Sequence, residues 1–357
     1  MITFYPGPSK VYSEVPNYVR DAYDAGVLSI NHRSPEFMKI YRRTIQLVKE
    51  KLDVPESYTV LFSSSATECW EIICQSLITK KSFHVYNGAF GEKWLRYAKH
   101  LVPTTGSLAF MAENLPEMNS IQTGDSELIA LTHNETSNGT ALPSEWMQEL
   151  RKRFPENLMA VDATSSMAGV ELPWQIADVW FASVQKCFGL PAGLAVLVLS
   201  PQAIVQAQQI NDRKYYNSLL NIFEQGQRNQ TTHTPNVLGI YLLMRVLEDR
   251  DPIRLISATT IERYNEWKKM LTNLTYVNQL PQNWQIHSKT VIPIWAKPHV
   301  IAQLHHQSQA NGITLGKGYG AHKQTTLRIA NFPAITDTEI HQLMDFFANF
   351  APDTTSR

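Results

Sequence analysis

The sequence predicts an α/β fold built on a mainly parallel sheet, followed by a smaller α+β unit. Three observations support this prediction. Short apolar runs typical of buried strands alternate with segments of helical periodicity before about residue 200. Several of these runs end directly in small or polar residues, as strands do at a ligand-binding sheet edge. Beyond about residue 230 the strand candidates become weaker.

The strand candidates of the first part are short and apolar. They are residues 58–62, 83–86, 128–132, 158–161, 179–182 and 194–199. Apolar residues at helical spacing lie between or before them, at residues 36–52, 91–100, 144–154 and 203–228. Strands separated by crossover helices favour a parallel sheet covered on both faces.

The chain divides by composition and pattern into three parts. Residues 1–14 are expected to form an extended arm, because Pro6, Gly7 and Pro8 interrupt regular structure. Residues 15–230 are assigned to a large domain and residues 231–357 to a small one. In the small domain we expect helices at 256–274, 301–311 and 337–350, and strands at 285–287, 290–295 and 326–330.

The composition limits the kinds of partner. Thirty-two basic and 32 acidic residues cancel, which gives no electrostatic reason to expect nucleic acid or an anionic membrane as a partner. The three cysteines cannot form a disulfide framework, and no His/Cys cluster suggests a metal. The first residues have no leader pattern and no apolar run approaches about 18 residues. We therefore expect a cytoplasmic protein that acts on small molecules.

Two residues point to a specific cofactor chemistry. Lys186 follows one apolar run and precedes another, and a lone ammonium is costly to bury in such a setting. A lysine amine that forms a Schiff base with an aldehyde cofactor is not left as a buried charge. Asp162 closes another apolar run, where a carboxylate could hold the pyridinium nitrogen of pyridoxal 5′-phosphate (PLP). The pair predicts a PLP site.

Other turns at the same predicted sheet edge fit such a site. The hydroxyl-rich turn from Ser63 to Thr67 leads into a helix, whose N-terminus can bind phosphate, although such turns often only cap helices. Phe90 opens another helix and could lie across a planar ring, or be simply core. Asn134 and Thr136 follow a buried strand and could hydrogen-bond a ligand. His133 is equally compatible with a structural and a catalytic role.

Together these motifs resemble the class V aminotransferases of the fold type I PLP enzymes, most closely their phosphoserine branch. The likeness runs nearly end to end. The resemblance implies a mainly parallel seven-stranded sheet in the large domain, a smaller α+β C-terminal domain, and a homodimer with a shared active site. It rests on Phe4-Tyr-Pro-Gly-Pro, Asn134-Glu-Thr136, Asp162-Ala-Thr-Ser-Ser166, Gln185-Lys186, Pro191-Ala-Gly193, Thr234-Pro235 and Arg328.

The resemblance also implies roles for individual residues. Lys186 would bind the cofactor and then move the proton, while Asp162 would keep the pyridine nitrogen protonated. Thr136 would hydrogen-bond the ring oxygen and Phe90 would stack on the ring. The cofactor phosphate would be bound by Ala66, Thr67 and Gln185, and by Thr234 of the neighbouring subunit. The residues that would face the substrate are His32, Arg33, His322, Lys323 and Arg328. Of these, Arg328 would clamp the α-carboxylate, since its planar cation suits bidentate binding.

Three features, at four residues, depart from the phosphoserine enzymes. Glu68 stands where they carry an arginine, and His233 stands where they have an asparagine before Thr234. The substrate-binding His-Arg pair upstream of Arg328 is replaced by His322 and Lys323. These differences leave PLP chemistry intact but weaken the expectation of a phosphorylated substrate.

The sequence thus predicts a ping-pong aminotransferase that uses phosphoserine with 2-oxoglutarate, in L-serine biosynthesis. An alanine–glyoxylate or serine–pyruvate enzyme is the alternative within the family. A class V lyase such as a cysteine desulfurase would need a catalytic cysteine in the C-terminal half, and no cysteine follows Cys187. A binding protein that has lost catalysis is disfavoured because Lys186 and Asp162 are both present.

Overall fold

The computed structural model describes residues 2–352, and at residue 321 the backbone alone. The strands are β1 Ile2–Phe4, β2 Thr59–Ser63, β3 Ser82–Tyr86, β4 Gly106–Ala109, β5 Leu128–Thr132, β6 Asn134–Glu135, β7 Thr140–Ala141, β8 Leu158–Asp162, β9 Val179–Ser183, β10 Ala195–Leu199, β11 Asn278–Gln279, β12 Val291–Trp295, β13 Ile313–Lys317 and β14 Thr326–Ala330. The helices are α1 Val15–Asp24, α2 Pro35–Leu52, α3 Ala66–Ser76, α4 Ala89–Leu101, α5 Ser144–Arg153, α6 Pro201–Ile210, α7 Leu219–Gln227, α8 Val237–Asp249, α9 Ile253–Thr272, α10 Pro298–Ala310 and α11 Asp337–Asn349.

The larger sheet has seven strands in the order β2-β10-β9-β8-β5-β3-β4. All neighbouring pairs are parallel except those of β10, which runs antiparallel to both β2 and β9. The predicted mainly parallel, seven-stranded α/β sheet is therefore confirmed. Because β2, β3, β5, β8 and β9 run in the same direction, their carboxyl ends meet at one edge.

Helices cover both faces of this sheet because its strands are apolar on both sides. Val60 and Phe62 of β2 belong to one buried cluster, and Leu61 between them belongs to the other. The same alternation in β8 sends Val161 to the first cluster and Ala160 to the second. This continuous apolar character is typical of a parallel sheet enclosed between two helical layers.

The second sheet has five strands in the order β1-β13-β14-β12-β11. β1 lies parallel to β13, and the other neighbours are antiparallel. The expectation that the whole N-terminal arm is irregular was therefore wrong, since Ile2–Phe4 adds an edge strand. The strand expected at residues 285–287 was also wrong, because Trp284–Ile286 forms a 3₁₀ turn.

Three helical regions also differ from expectation. The segment predicted as one helix over residues 203–228 is two helices, because α6 stops at Asn211 in a left-handed conformation with φ 51°. The amphipathic helices α1 and α8 were not predicted, although both bury apolar residues. Among the described residues no helix is both long enough and apolar enough to span a bilayer.

Candidate active site

The carboxyl edge of the large sheet encloses a cavity of about 360 Å³, a size typical of small-ligand sites. Five strands of that sheet bring their ends to it: β2 leads into α3, β3 into α4, β5 ends in Thr132, β8 ends in Asp162, and β9 leads to Lys186. Its wall includes nine of the predicted site residues, namely Ala66, Thr67, Phe90, Thr136, Asp162, Gln185, Lys186, Lys323 and Arg328.

Lys186 is buried at the floor of the cavity and is 7% exposed. Its Nζ donates hydrogen bonds to Thr136 Oγ1 at 2.7 Å and to Ser165 Oγ at 2.8 Å, and lies 5.1 Å from the Phe90 ring centroid. Burial lowers the pKa of Lys186 to about 8, although the Asp162 charge opposes this. An oriented amine that loses its proton this easily is suited to act as a nucleophile and as a base.

Asp162 is fixed by two hydrogen bonds in the cavity wall. Its Oδ2 accepts from the Trp70 indole Nε1 at 3.1 Å, and its Oδ1 accepts from the Thr164 backbone N–H at 2.9 Å. A buried carboxylate held in this way can receive a cationic ring nitrogen without rearrangement. No sequence motif indicated this bond from Trp70.

Glu135 is a further buried acid, to which the Asn134-Glu-Thr136 motif assigned no role. Its Oε2 accepts from the backbone N–H groups of Phe90 and Gly91, and its Oε1 accepts from the N–H and hydroxyl of Ser137. The carboxylate therefore caps the N-terminus of α4, which holds Phe90 in place. Burial raises the pKa of Glu135, opposed by the bonds from Ser137 and Gly91.

Arg328 reaches the cavity from β14 of the small sheet. Its Nε donates to Lys317 O and its Nη1 donates to Thr136 O, both at 2.9 Å, and the guanidinium lies 5.5 Å from the Tyr319 ring centroid. These backbone contacts lock the plane of the guanidinium. Arg328 lines the cavity, and neither of these two bonds uses its Nη2.

Four of the predicted site residues lie outside this cavity wall in the single chain. Thr234 lines a second cavity of about 250 Å³, and its Oγ1 lies 3.5 Å from His32 Nδ1. Arg33 donates from Nη1 to Gln230 Oε1 at 2.7 Å, beside that cavity. His322 is exposed on the connection between β13 and β14.

His133 and Glu68 both have hydrogen-bond partners within the chain. His133 is buried, its Nδ1 lies 2.7 Å from Ser166 Oγ, and burial lowers its pKa to about 4, as expected of a neutral core histidine. Glu68 accepts from Ser64 N–H at 2.7 Å and from Tyr216 hydroxyl at 2.8 Å, and it faces the second cavity.

The cavity fits PLP on observations of its own wall. The side-chain atoms Thr132 Oγ1, Asn134 Nδ2 and Thr164 Oγ1 are buried at the cavity without a partner among the described residues. Unpaired buried polar atoms are rare and commonly mark a ligand position. The Thr67 amide lies in the first turn of α3, where N–H groups are free for an anion, whereas the Ala66 amide donates to Ser183 Oγ at 2.7 Å.

Comparison with known proteins places the chain in a family. The family model for aminotransferase class-V matches residues 6–318. The structure resembles the crystal structure of a phosphoserine aminotransferase from Cytophaga hutchinsonii, with a TM-score of 0.91 over 96% of this chain and 97% of the other. The two sequences are 33% identical.

One more relative agrees with this placement, and a more distant solved structure shares the fold. A phosphoserine aminotransferase from Corynebacterium glutamicum is 28% identical over 94% of this chain and 91% of its own. An alanine–glyoxylate aminotransferase from Nostoc sp. shares the fold, with 17% identity and a TM-score of 0.82 over 96% of this chain and 93% of the other. The chain therefore belongs to the class V aminotransferases and is a PLP-dependent transaminase.

Proposed function

We propose that this transaminase reversibly interconverts phosphoserine plus 2-oxoglutarate and 3-phosphooxypyruvate plus glutamate, as a step of L-serine biosynthesis. The observation that carries the proposal is the cavity in which Lys186, Asp162 and Arg328 converge. The choice of substrate is supported by the end-to-end likeness to phosphoserine aminotransferases.

Bound PLP supplies an aldehyde that captures the substrate amine and a ring that withdraws electrons from Cα. Lys186 binds the cofactor at rest and, once free, moves a proton at the substrate Cα. Its pKa of about 8 allows a neutral amine near physiological pH, and Thr136 and Ser165 orient Nζ. Asp162 holds the ring nitrogen proton, supported by Trp70.

The remaining proposed roles concern binding. Phe90 would pack against the ring face, and Thr136 would hydrogen-bond the ring oxygen; both residues line the cavity. The Thr67 amide at the start of α3 holds the cofactor phosphate together with Gln185, and the Ala66 amide joins them by exchanging its bond to Ser183 Oγ. Arg328 binds the substrate α-carboxylate, because it lines the cavity and backbone oxygens already fix two of its nitrogens.

We also propose a homodimer in which His32, Arg33 and Thr234 of one subunit complete the site of the other. The support is that these residues cluster beside a second cavity, away from Lys186 of their own chain. We further propose that the chain divides into an arm of residues 1–14, a large domain of residues 15–230 and a small domain of residues 231–357, and that the protein is cytoplasmic. The three cysteines are buried free thiols, as suits a reducing compartment.

The substrate proposal is tested by measuring kcat/KM for L-phosphoserine, L-serine and L-alanine with 2-oxoglutarate as acceptor. We expect phosphoserine to be preferred by about 100-fold or more, since a site that pairs a dianion rejects the neutral analogue. A preference for alanine or serine would instead favour the alternative family activity. Glu68 in the arginine position is the observation that speaks for that alternative.

The shared site is tested by mixing inactive subunits. Lys186→Ala subunits mixed with Arg33→Ala subunits should regain activity, because one site of each heterodimer then has an intact lysine and an intact partner arginine. Lys186→Ala mixed with Asp162→Asn is the matched control and should regain none, since both residues act within their own chain. Equal results from the two mixtures would refute the sharing.

A further inference from the structure

Residues 5–12 form an irregular strap at the active-site cavity. The first four residues of the strap belong to the cavity wall. The strap follows directly after β1, which pairs with β13 of the small sheet. It therefore leads from the small sheet to the cavity that contains Lys186, although none of its residues has a role in the proposed reaction.

Two contacts hold the strap in place. Ser9 N–H donates to Gln185 O at 2.9 Å, which fixes the strap to the residue before the lysine. Lys10 Nζ donates to Glu339 Oε1 at 2.6 Å, and the two side chains of this ion pair are only 22% and 17% exposed. Glu339 lies in the first turn of α11, so the second contact ties the strap to the small domain. A segment anchored in this way resists being pushed aside by a neighbouring side chain.

Gly7 brings the backbone of the strap against the Lys186 side chain. A Cβ placed on Gly7 would lie 2.9 Å from Lys186 Cε, 3.7 Å from its Cγ and 3.8 Å from its Cδ. The shortest of these distances is inside van der Waals contact, so any side chain at position 7 would displace the lysine stem. Such a shift would disturb the hydrogen bonds from Nζ to Thr136 and Ser165. Gly7 also has φ +151°, which residues with a side chain rarely adopt.

We propose that Gly7 is a positioning residue for transamination, because its bare backbone packs on the Lys186 stem and holds Nζ within reach of both the cofactor and the substrate Cα. This inference rests on the proposed function, in which Lys186 moves the proton, and adds a residue that acts through it. Misplacing a reacting group by about 1 Å can cost on the order of 100-fold in rate. The absence of a side chain at position 7 thus contributes to the geometry of the proton transfer.

A double-mutant cycle on the cofactor-free protein tests the contact without turnover. Gly7→Ala should lower the urea midpoint in the wild-type background and lower it by about half as much or less in the Lys186→Ala background, where the lysine stem is gone. Folding of Gly7→Ala in the Lys186→Ala background alone would also support the contact. Gly26→Ala is the matched control, because Gly26 has φ +71° and nothing lies within 4 Å of its Cβ position. Equal losses for Gly7→Ala in both backgrounds would refute the contact.

Kinetics of the PLP-loaded enzyme test the positioning role. With glutamate deuterated at Cα as donor, Gly7→Ala should lower kcat by about 10-fold or more and raise the primary isotope effect, because proton transfer becomes slower relative to the other steps. Lys10→Gln, which frees the strap from α11 without a clash, should change both quantities in the same direction but less. Gly26→Ala should change neither.

The outcomes separate this inference from the proposed function. Full activity in Gly7→Ala, or lost activity with an unchanged isotope effect in both Gly7→Ala and Lys10→Gln, would refute the positioning role. Transamination by Lys186→Ala at the wild-type rate would instead refute the proposed role of the lysine, and the contact measured by the double-mutant cycle would stand.

Discussion

Replacing the catalytic lysine is expected to make the cofactor-free protein more stable. In the Lys186→Met variant an apolar chain of similar length occupies the buried position, and activity is lost. The wild-type ammonium is held in a site that is 7% exposed, where burial disfavours its charged form. A functional residue kept at the expense of stability is common at active sites.

The magnitude follows from the pKa of Lys186, which burial lowers from 10.5 to about 8. Each pKa unit corresponds to about 1.4 kcal/mol, so below pH 8 the folded state carries a penalty of about 3 kcal/mol. Between pH 8 and 10.5 the unfolded chain binds the proton and the folded one does not, so wild-type stability rises with pH. The variant also loses the bonds to Thr136 and Ser165, which leaves a net gain of about 2 kcal/mol at pH 7.

The assay is urea unfolding of cofactor-free wild type and Lys186→Met at equal protein concentration, at pH 7 and near pH 10. The variant should have the higher free energy of unfolding at pH 7, and the difference should shrink by most of its value at the higher pH. Lys99→Met replaces an exposed lysine and should show no such pH dependence. If the difference is absent at pH 7, or constant with pH, Lys186 does not have the depressed pKa on which the argument depends.

Three further predictions concern the other groups of the cavity. Asp162→Asn should lower kcat by about 100-fold or more, since breaking a buried ion pair costs about 3–5 kcal/mol, and a steady-state assay with added PLP checks this. Arg328→Lys should raise KM for every amino donor by about 10-fold, because a point charge replaces a bidentate cation, whereas an unchanged KM would remove Arg328 from carboxylate binding. Glu135→Gln should lower the free energy of unfolding by about 1–3 kcal/mol, and urea titration measures the loss. The NH₂ group of the new glutamine would face N–H and O–H donors whose hydrogen bonds the carboxylate now accepts.

Six strands of the large sheet were predictable because each is a short apolar run bounded by turn residues. The seventh, β4, was missed because its residues alternate between half-buried and exposed and include Gly106. Strand β13 was missed too, since Ile313–Lys317 is less apolar and depends on β1 and β14 for its place. Such strands are defined by their neighbours rather than by local sequence.

The placement of the N-terminal segment came only from the structure. Ser9 N–H donates to Gln185 O and Tyr12 N–H donates to Gly189 O, so this segment lies over the lysine loop. A Cβ at Gly7, whose φ is +151°, would come within 2.9 Å of Lys186 Cε. The prolines indicate an irregular segment, but nothing local indicates where it packs.

The sequence by itself determined the chemistry of the site, because Lys186 and Asp162 each follow a recognisable apolar run and parallel strands present their carboxyl ends together. Tertiary structure alone decided which side chains support them. Trp70 meets Asp162 across 92 positions of chain, and Arg328 meets Thr136 across 192. Contacts of that separation depend on strand order and on how the two sheets face each other, and no local pattern carries that information.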